Sequence, residues 1–199
     1  MRWSPLLTLL IVAGCGEDPI GPPPPPPPPE GLVTVRVTAI VTSVRDAYLS
    51  YCLGGLIVVG ESLTGTYTYD AQAEDSDEAD NSAEYHMHAA PYSMSFTDGS
   101  FVFKASEPLD IRLTIANGDG VSGPDRYSVS SVTNAAISCG YVDAIAVALE
   151  DASGSAINQA TLTERAPALR DWTGPNTLLI HGGSLAGTFE IQGRITRIE

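Results

Sequence analysis

The sequence is short of positive charge, of cysteine and of histidine, and it has no apolar run long enough to cross a bilayer. Ten Lys and Arg stand against 24 Asp and Glu, for a formal charge of −14. Nucleic acid and anionic membrane surfaces are therefore poor partners, because both favour clustered cations on the protein. With three histidines, His86, His88 and His181, few residues are left to act as a general base. No G-x-S-x-G elbow is present, and without strand and helix alternation there is nothing to hold one. No catalytic residue is assigned. The run His181-Gly182-Gly183-Ser184 is read as a glycine-rich turn. Helical periodicity is missing throughout, save that Asn158 to Arg165 suits a turn or two.

What is present begins at the N-terminus. Residues 1–14 carry one positive charge at Arg2, an apolar stretch from Leu6 to Val12, and small residues ending at Gly14. That stretch is too short to span a membrane and has the plan of a secretory signal. The closing Val12-Ala13-Gly14-Cys15 resembles the lipobox of bacterial lipoproteins. The resemblance implies that Cys15 takes a diacylglycerol and becomes the first residue of the mature chain. With Gly16 rather than aspartate after the cysteine, it also implies outer-membrane sorting. The partner implied is the membrane, reached through the N-terminal lipid.

Residues 15–31 then form a stalk. Pro22 to Pro29 are eight consecutive prolines, which fix φ and remove the amide donors that a helix or sheet needs. The expected form is a polyproline II rod of roughly 25 Å, at ~3.1 Å per residue. Residues 32–199 follow as a single domain long enough to bury a core. Once Cys15 is lipidated, Cys52 and Cys139 remain as an even pair in a compartment that permits oxidation. A disulfide between them would stabilise by roughly 4–5 kcal/mol in the chain-entropy model. Two buried free thiols are the alternative.

Alternation of period two runs through the domain. Val33, Val35, Val37, Ala39 and Val41 alternate with mostly polar neighbours, as in a strand with one buried face. The rhythm returns at Tyr67 and Tyr69, Tyr92 to Phe96, Phe101 and Phe103, Leu109 to Ile115, Tyr127 and Val129, Ile145 to Leu149, and Phe189 to Ile195. Turn residues separate these runs at Asp98-Gly99, Asn117 to Gly120 and Asp151 to Gly154. The expected fold is all-β, an antiparallel barrel-like sandwich of about eight to ten strands. Pairing of the long first strand with the long last one would close a barrel; two separate sheets are the alternative.

Gly65-Thr66-Tyr67-Thr68-Tyr69-Asp70 resembles the G-T-[FY]-x-Y-D signature of an uncharacterised extracytoplasmic domain of exosortase-sorted (PEP-CTERM) bacterial proteins. Tyr92 to Phe96, Asp125-Arg126-Tyr127, Leu185-Ala186-Gly187 and Gly193-Arg194-Ile195-Thr196 follow in the order of that domain. The sorting tag of such proteins, Pro-Glu-Pro with an apolar span, is not seen. The resemblance implies an all-β fold and an envelope location, with no activity attached.

Several residues are candidates for chemistry. Asp75, Asp77 and Asp80 lie in an acidic stretch suited to Ca2+, although EF-hand spacing fails at Ala79; a solvated loop is the alternative. Asn117, Asp119 and Asp125 form a second oxygen-rich group. His86 and His88, two apart, would share a strand face and could hold zinc or copper given a third ligand such as Glu84. Tyr67, Tyr69, Tyr92 and Tyr127 suit either a ligand cavity or a packed core. The function expected is an envelope structural or interaction module. The alternatives are a small-ligand or glycan-binding barrel, which needs an open tyrosine-lined cavity, and a hydrolase, which needs its histidines and carboxylates in one cleft.

Overall fold

The computed structural model describes residues 30–46, 53, 55–118, 120, 123–185 and 187–199. Cys15, the proline stalk, Cys52 and Asp119 lie outside the described residues. Ten strands form one antiparallel sheet: β1 (Leu32–Asp46), β2 (Ser62–Asp70), β3 (Ser82–Met87), β4 (Ser93–Thr97), β5 (Val102–Lys104), β6 (Ile111–Ala116), β7 (Asp125–Ser131), β8 (Tyr141–Asp151), β9 (Thr177–Ser184) and β10 (Gly187–Ile198). Their spatial order is β3-β6-β7-β8-β9-β10-β1-β2-β4-β5. The sheet curls into a half-barrel.

The alternation that marks β1 in the sequence is the alternation of its burial. Val35, Val37, Ala39 and Val41 are at most 1% exposed and face the core. The same inward face continues through Met94 and Phe96 of β4, Ile111, Leu113 and Ile115 of β6, and Ile145, Val147 and Leu149 of β8. Burying such a set supplies the stabilisation that a sheet with one wet face requires. Curling brings distant strands together across the interior. The ring of Phe103 on β5 lies 6.5 Å from that of Phe189 on β10, and the hydroxyls of Tyr67 on β2 and Tyr127 on β7 are 3.0 Å apart.

β1 and β10 pair along most of their length, from Val37 opposite Ile198 to Asp46 opposite Phe189. They do so in the middle of the sheet, and its edges are β3 and β5. Both edges are covered by loops. On β3, Ser76 donates its N–H to the carbonyl of Glu84 (2.8 Å) and Asp75 accepts the Glu84 N–H (2.9 Å). Beyond β5, Ala135 donates to the Lys104 carbonyl (2.9 Å). Unpaired strand edges invite association with other chains, and these contacts remove much of that template.

Two local readings of the sequence change. His181-Gly182-Gly183 is not a turn but the second half of β9, with the turn displaced to Leu185. Glycine is needed there for close packing: a Cβ on Gly182 would stand 2.3 Å from the Tyr141 carbonyl oxygen and 2.5 Å from the Phe189 ring. The stretch from Asn158 to Arg165 is irregular, and the single helical turn among the described residues is a 3-10 turn at Leu169–Asp171. Gly65, the first residue of the signature motif, has a packing role, since a Cβ would lie 2.4 Å from the Phe96 ring.

Strand direction gives the barrel two distinct ends. At the entry end lie Leu32, Asp70, Asp125, Asp151 and Thr177; at the far end lie Asp46, Ser62, Ser131, Tyr141 and Ser184.

Candidate functional site

The entry end holds a connection of unusual length. Between β8 and β9 the chain runs from Ala152 to Asn176 with only the 3-10 turn as regular structure. Structureless connections of this size inside compact folds are uncommon and are usually functional. Here the connection is fastened at several points.

Two carboxylates do most of that work. Asp125 and Asp151 face each other in register on β7 and β8, and both are fully buried. Asp125 accepts the N–H of Gly118 (2.8 Å) and that of Ile157 (2.9 Å). Asp151 accepts the hydroxyl of Ser153 (2.6 Å), the N–H of Ser155 (2.9 Å) and the hydroxyl of Thr173. Those bonds, from Ser153 first and then Thr173 and Ser155, hold the Asp151 carboxyl well below the usual carboxylate range, because they stabilise its charged form. A buried charge is tolerated when donors surround it.

Tyrosines fasten the rest. Tyr69 donates its hydroxyl to the carbonyls of Thr163 (2.7 Å) and Arg165 (3.2 Å). Asn176 donates to the Trp172 carbonyl (2.9 Å), and Asn117 to that of Asn158 (3.1 Å). The sequence pattern marks none of this loop as a site. The one signal it holds is Asp151 followed by Ser153 and Ser155, donors at the spacing of a side-chain-capped turn.

The fastened loop walls a pocket of about 440 Å³. Its floor is apolar: Ile115, Tyr127 and Trp172, with Ile157 and Pro167 beside them. Tyr127 and Trp172 are each 5% exposed, with ring centroids 6.3 Å apart. Glu164, Arg165 and Asp171 lie among the lining residues. Asp171 is engaged by Arg170 at 3.5 Å.

The tyrosine candidates divide. Tyr67 and Tyr69 are stacked core residues, so the barrel interior is filled by them rather than lined by them. Burial pushes the phenols of Tyr67 and Tyr127 well above their usual range. Tyr127 reaches the pocket floor. Tyr92 is half-buried elsewhere, with its hydroxyl 3.4 Å from Asp70 Oδ2.

The metal candidates meet only in part. Asp75, Asp77, Asp80 and Asn117 line one open surface depression, while Asp125 is enclosed on backbone amides. The oxygens of Asp75 accept the N–H groups of Asp77 and Glu84, and Asp77 binds Ser82 and Ala79. These bonds, Ser82 first, lower the Asp77 carboxyl. Among the described residues no group of three or more His, Cys, Asp and Glu is arranged to hold a metal ion.

His86 on β3 and His88 just beyond its end stack with ring centroids 5.6 Å apart. Glu84, the expected third ligand, is committed to His86 (2.8 Å) and Arg112 (3.5 Å), and a guanidinium beside it opposes a second cation. His181 lies on β9, separated from β3 by three strands, and pairs with Asp143 at 3.1 Å. The histidines do not converge on one cleft. Cys139 is half-buried, packs against the core and is not free.

Comparison with protein families, with curated proteins and with solved structures finds no match to this chain.

Proposed function

We propose that the chain is a lipid-anchored module of the bacterial cell envelope, in which a β-domain on a polyproline stalk meets a protein partner through its far end. The observation that carries this reading is the placement of exposed apolar side chains. Among the described residues, the exposed large hydrophobics are Leu56, Val58, Val59, Val102, Val132, Tyr141 and Leu185. Every one sits at a strand end or connection on the side opposite Leu32, where the chain enters. Scattered surface hydrophobics need no explanation, but a set gathered at one end of a molecule has the character of an interaction surface. The acidic charge turns that surface toward a protein rather than an anionic lipid.

Within this reading Cys15 carries the lipid, outer-membrane sorting follows from Gly16, and Cys52 and Cys139 form a disulfide. The likeness of Gly65 to Asp70 to the domain of exosortase-sorted proteins is part of the same proposal. Two measurements test it. Mass spectrometry of the membrane fraction is expected to find diacylglycerol on Cys15, and Cys15→Ser to release the protein. A photo-crosslinking residue at Leu185 is expected to capture a protein in cells, and one at exposed Gln159 of the entry end to capture none. Equal capture at both positions would remove the far-end interface.

A second reading, binding of a small ligand, is favoured by the pocket beneath the β8 to β9 connection.

A further inference from the structure

We propose that this pocket binds a compact alicyclic or aromatic monocarboxylic acid, its ring on the Trp172 and Ile115 floor and its carboxylate drawn to Arg165. The proposal rests on the ligand-binding reading and is independent of the anchor and of the far end. Three observations support it.

The first is size and lining. A volume of about 440 Å³ lies within the usual range of roughly 300–1,000 Å³ for small-molecule sites. Its floor presents aromatic and aliphatic carbon from Ile115, Tyr127 and Trp172, on which an apolar ring can lie.

The second is the balance of donors and acceptors. Trp172 is all but buried, yet its indole N–H takes part in none of the hydrogen bonds among the described residues and is not among the fully enclosed unpaired atoms. An indole nitrogen can only donate, so a ligand acceptor that reaches it can take this hydrogen bond over from solvent. The lining therefore has a donor to spare.

The third is charge. Of the three charged lining residues, Asp171 is engaged by Arg170, whereas Arg165 and Glu164 enter no ion pair among the described residues. The guanidinium complements a carboxylate. Glu164 beside it disfavours a second negative charge, which selects a monoacid. The walls are fixed by Asp125, Asp151 and Tyr69, so little ordering cost attends binding.

The chain has two tryptophans, Trp3 and Trp172, which provides a direct reporter. In the full chain carrying Trp3→Phe, Trp172 emission is followed while 3-cyclohexylpropionate is added, with 3-cyclohexylpropylamine as the charge-reversed probe. A saturable change with the acid is expected, with binding of the amine weaker by about tenfold or more, or ~1.4 kcal/mol. Arg165→Gln is expected to erase that preference. Ala168→Phe and Thr161→Phe, both exposed positions on the lining, are each expected to block acid binding while leaving the unfolding midpoint in place. Equal binding of acid and amine would overturn the acid specificity and leave a ligand pocket. Response to neither probe, or full binding in both filled variants, would overturn the site itself.

Discussion

The two ends of this half-barrel use the same strands and reach opposite solutions. At the entry end the long connection from Ala152 to Asn176 is polar in its fastenings and closed over an apolar pocket. At the far end the fastenings among the described residues are local, such as Asp98 accepting the N–H groups of Ser100 and Phe101, and Leu56, Val59 and Leu185 stand in solvent. The difference is set by two residues. Asp125 and Asp151, side by side in the sheet, bind the amides and hydroxyls of three segments, whereas the far end has no buried acid among the described residues. Buried, hydrogen-bonded carboxylates specify one loop conformation; exposed aliphatic residues specify none.

Removing Asp125 is expected to break this contrast most severely. Asp125→Ala leaves the half-buried N–H groups of Gly118 and Ile157 without their acceptor and empties the space of a buried carboxylate, at a cost of about 2–3 kcal/mol. Chemical denaturation measures the loss, and hydrogen exchange is expected to place it in the connection from Ala152 to Asn176 before the strands. Asp151 adds a pH signature. Its carboxyl is depressed in the folded state, so the stability it contributes is complete above the unfolded aspartate value of about 3.9 and is lost as pH falls toward the lower folded one. Acid is therefore expected to loosen the entry end first, an order that Asp151→Asn abolishes.

The strands of this molecule were legible in the sequence where both faces announced themselves. β1 reads directly, because Val35, Val37, Ala39 and Val41 face in and Thr34, Arg36 and Thr38 face out. β3 carries the same signal in Ala83, Tyr85 and Met87, yet its outward Glu84 and His86, with His88 just past its end, read as chemistry. β9 was hidden by Gly182 and Gly183, residues that stand for turns in most sequences and here make room for the Phe189 ring and the Tyr141 side chain respectively. The candidate site was scarcely legible at all. Its floor combines Ile115, Tyr127 and Trp172 from three separate segments, and its walls belong to a loop without periodicity. Asp125 looked like a calcium ligand because a one-dimensional pattern records that an oxygen is present and not which amides will surround it.

A substitution at the far end sharpens the comparison by steric means. Gly182→Ala forces a methyl group against the Tyr141 carbonyl and the Phe189 ring, with an expected cost of about 1–3 kcal/mol from overpacking. Thermal unfolding measures it. Because the insult falls near Tyr141 and the turn at Leu185, ligand response at Trp172 is expected to survive.

The tyrosine pair that spans the interior offers a gentler test. Tyr127→Phe removes one hydroxyl and leaves that of Tyr67 without its partner, for a loss of about 1 kcal/mol. The alkaline limb is more telling than the midpoint. Both phenols are raised in the folded state, chiefly by burial, so the folded chain retains protons that the unfolded chain gives up. Stability is then expected to decline as pH rises above the ordinary tyrosine value of about 10, and Tyr127→Phe to make that decline shallower.

The smallest expected effect is the most discriminating between the two ends. Leu185 is fully exposed on the turn between β9 and β10, so Leu185→Ser removes no contact that the isolated fold makes. Its stability is expected to stay within about 0.5 kcal/mol of the parent, as for surface positions in general. If the far end meets a partner, the same change is expected to reduce crosslinking in cells while binding at the entry-end pocket stays unchanged. A loss of stability on Leu185→Ser would instead mean that the turn supports the fold, and the apolar residues around it would then belong to the core and not to an interface.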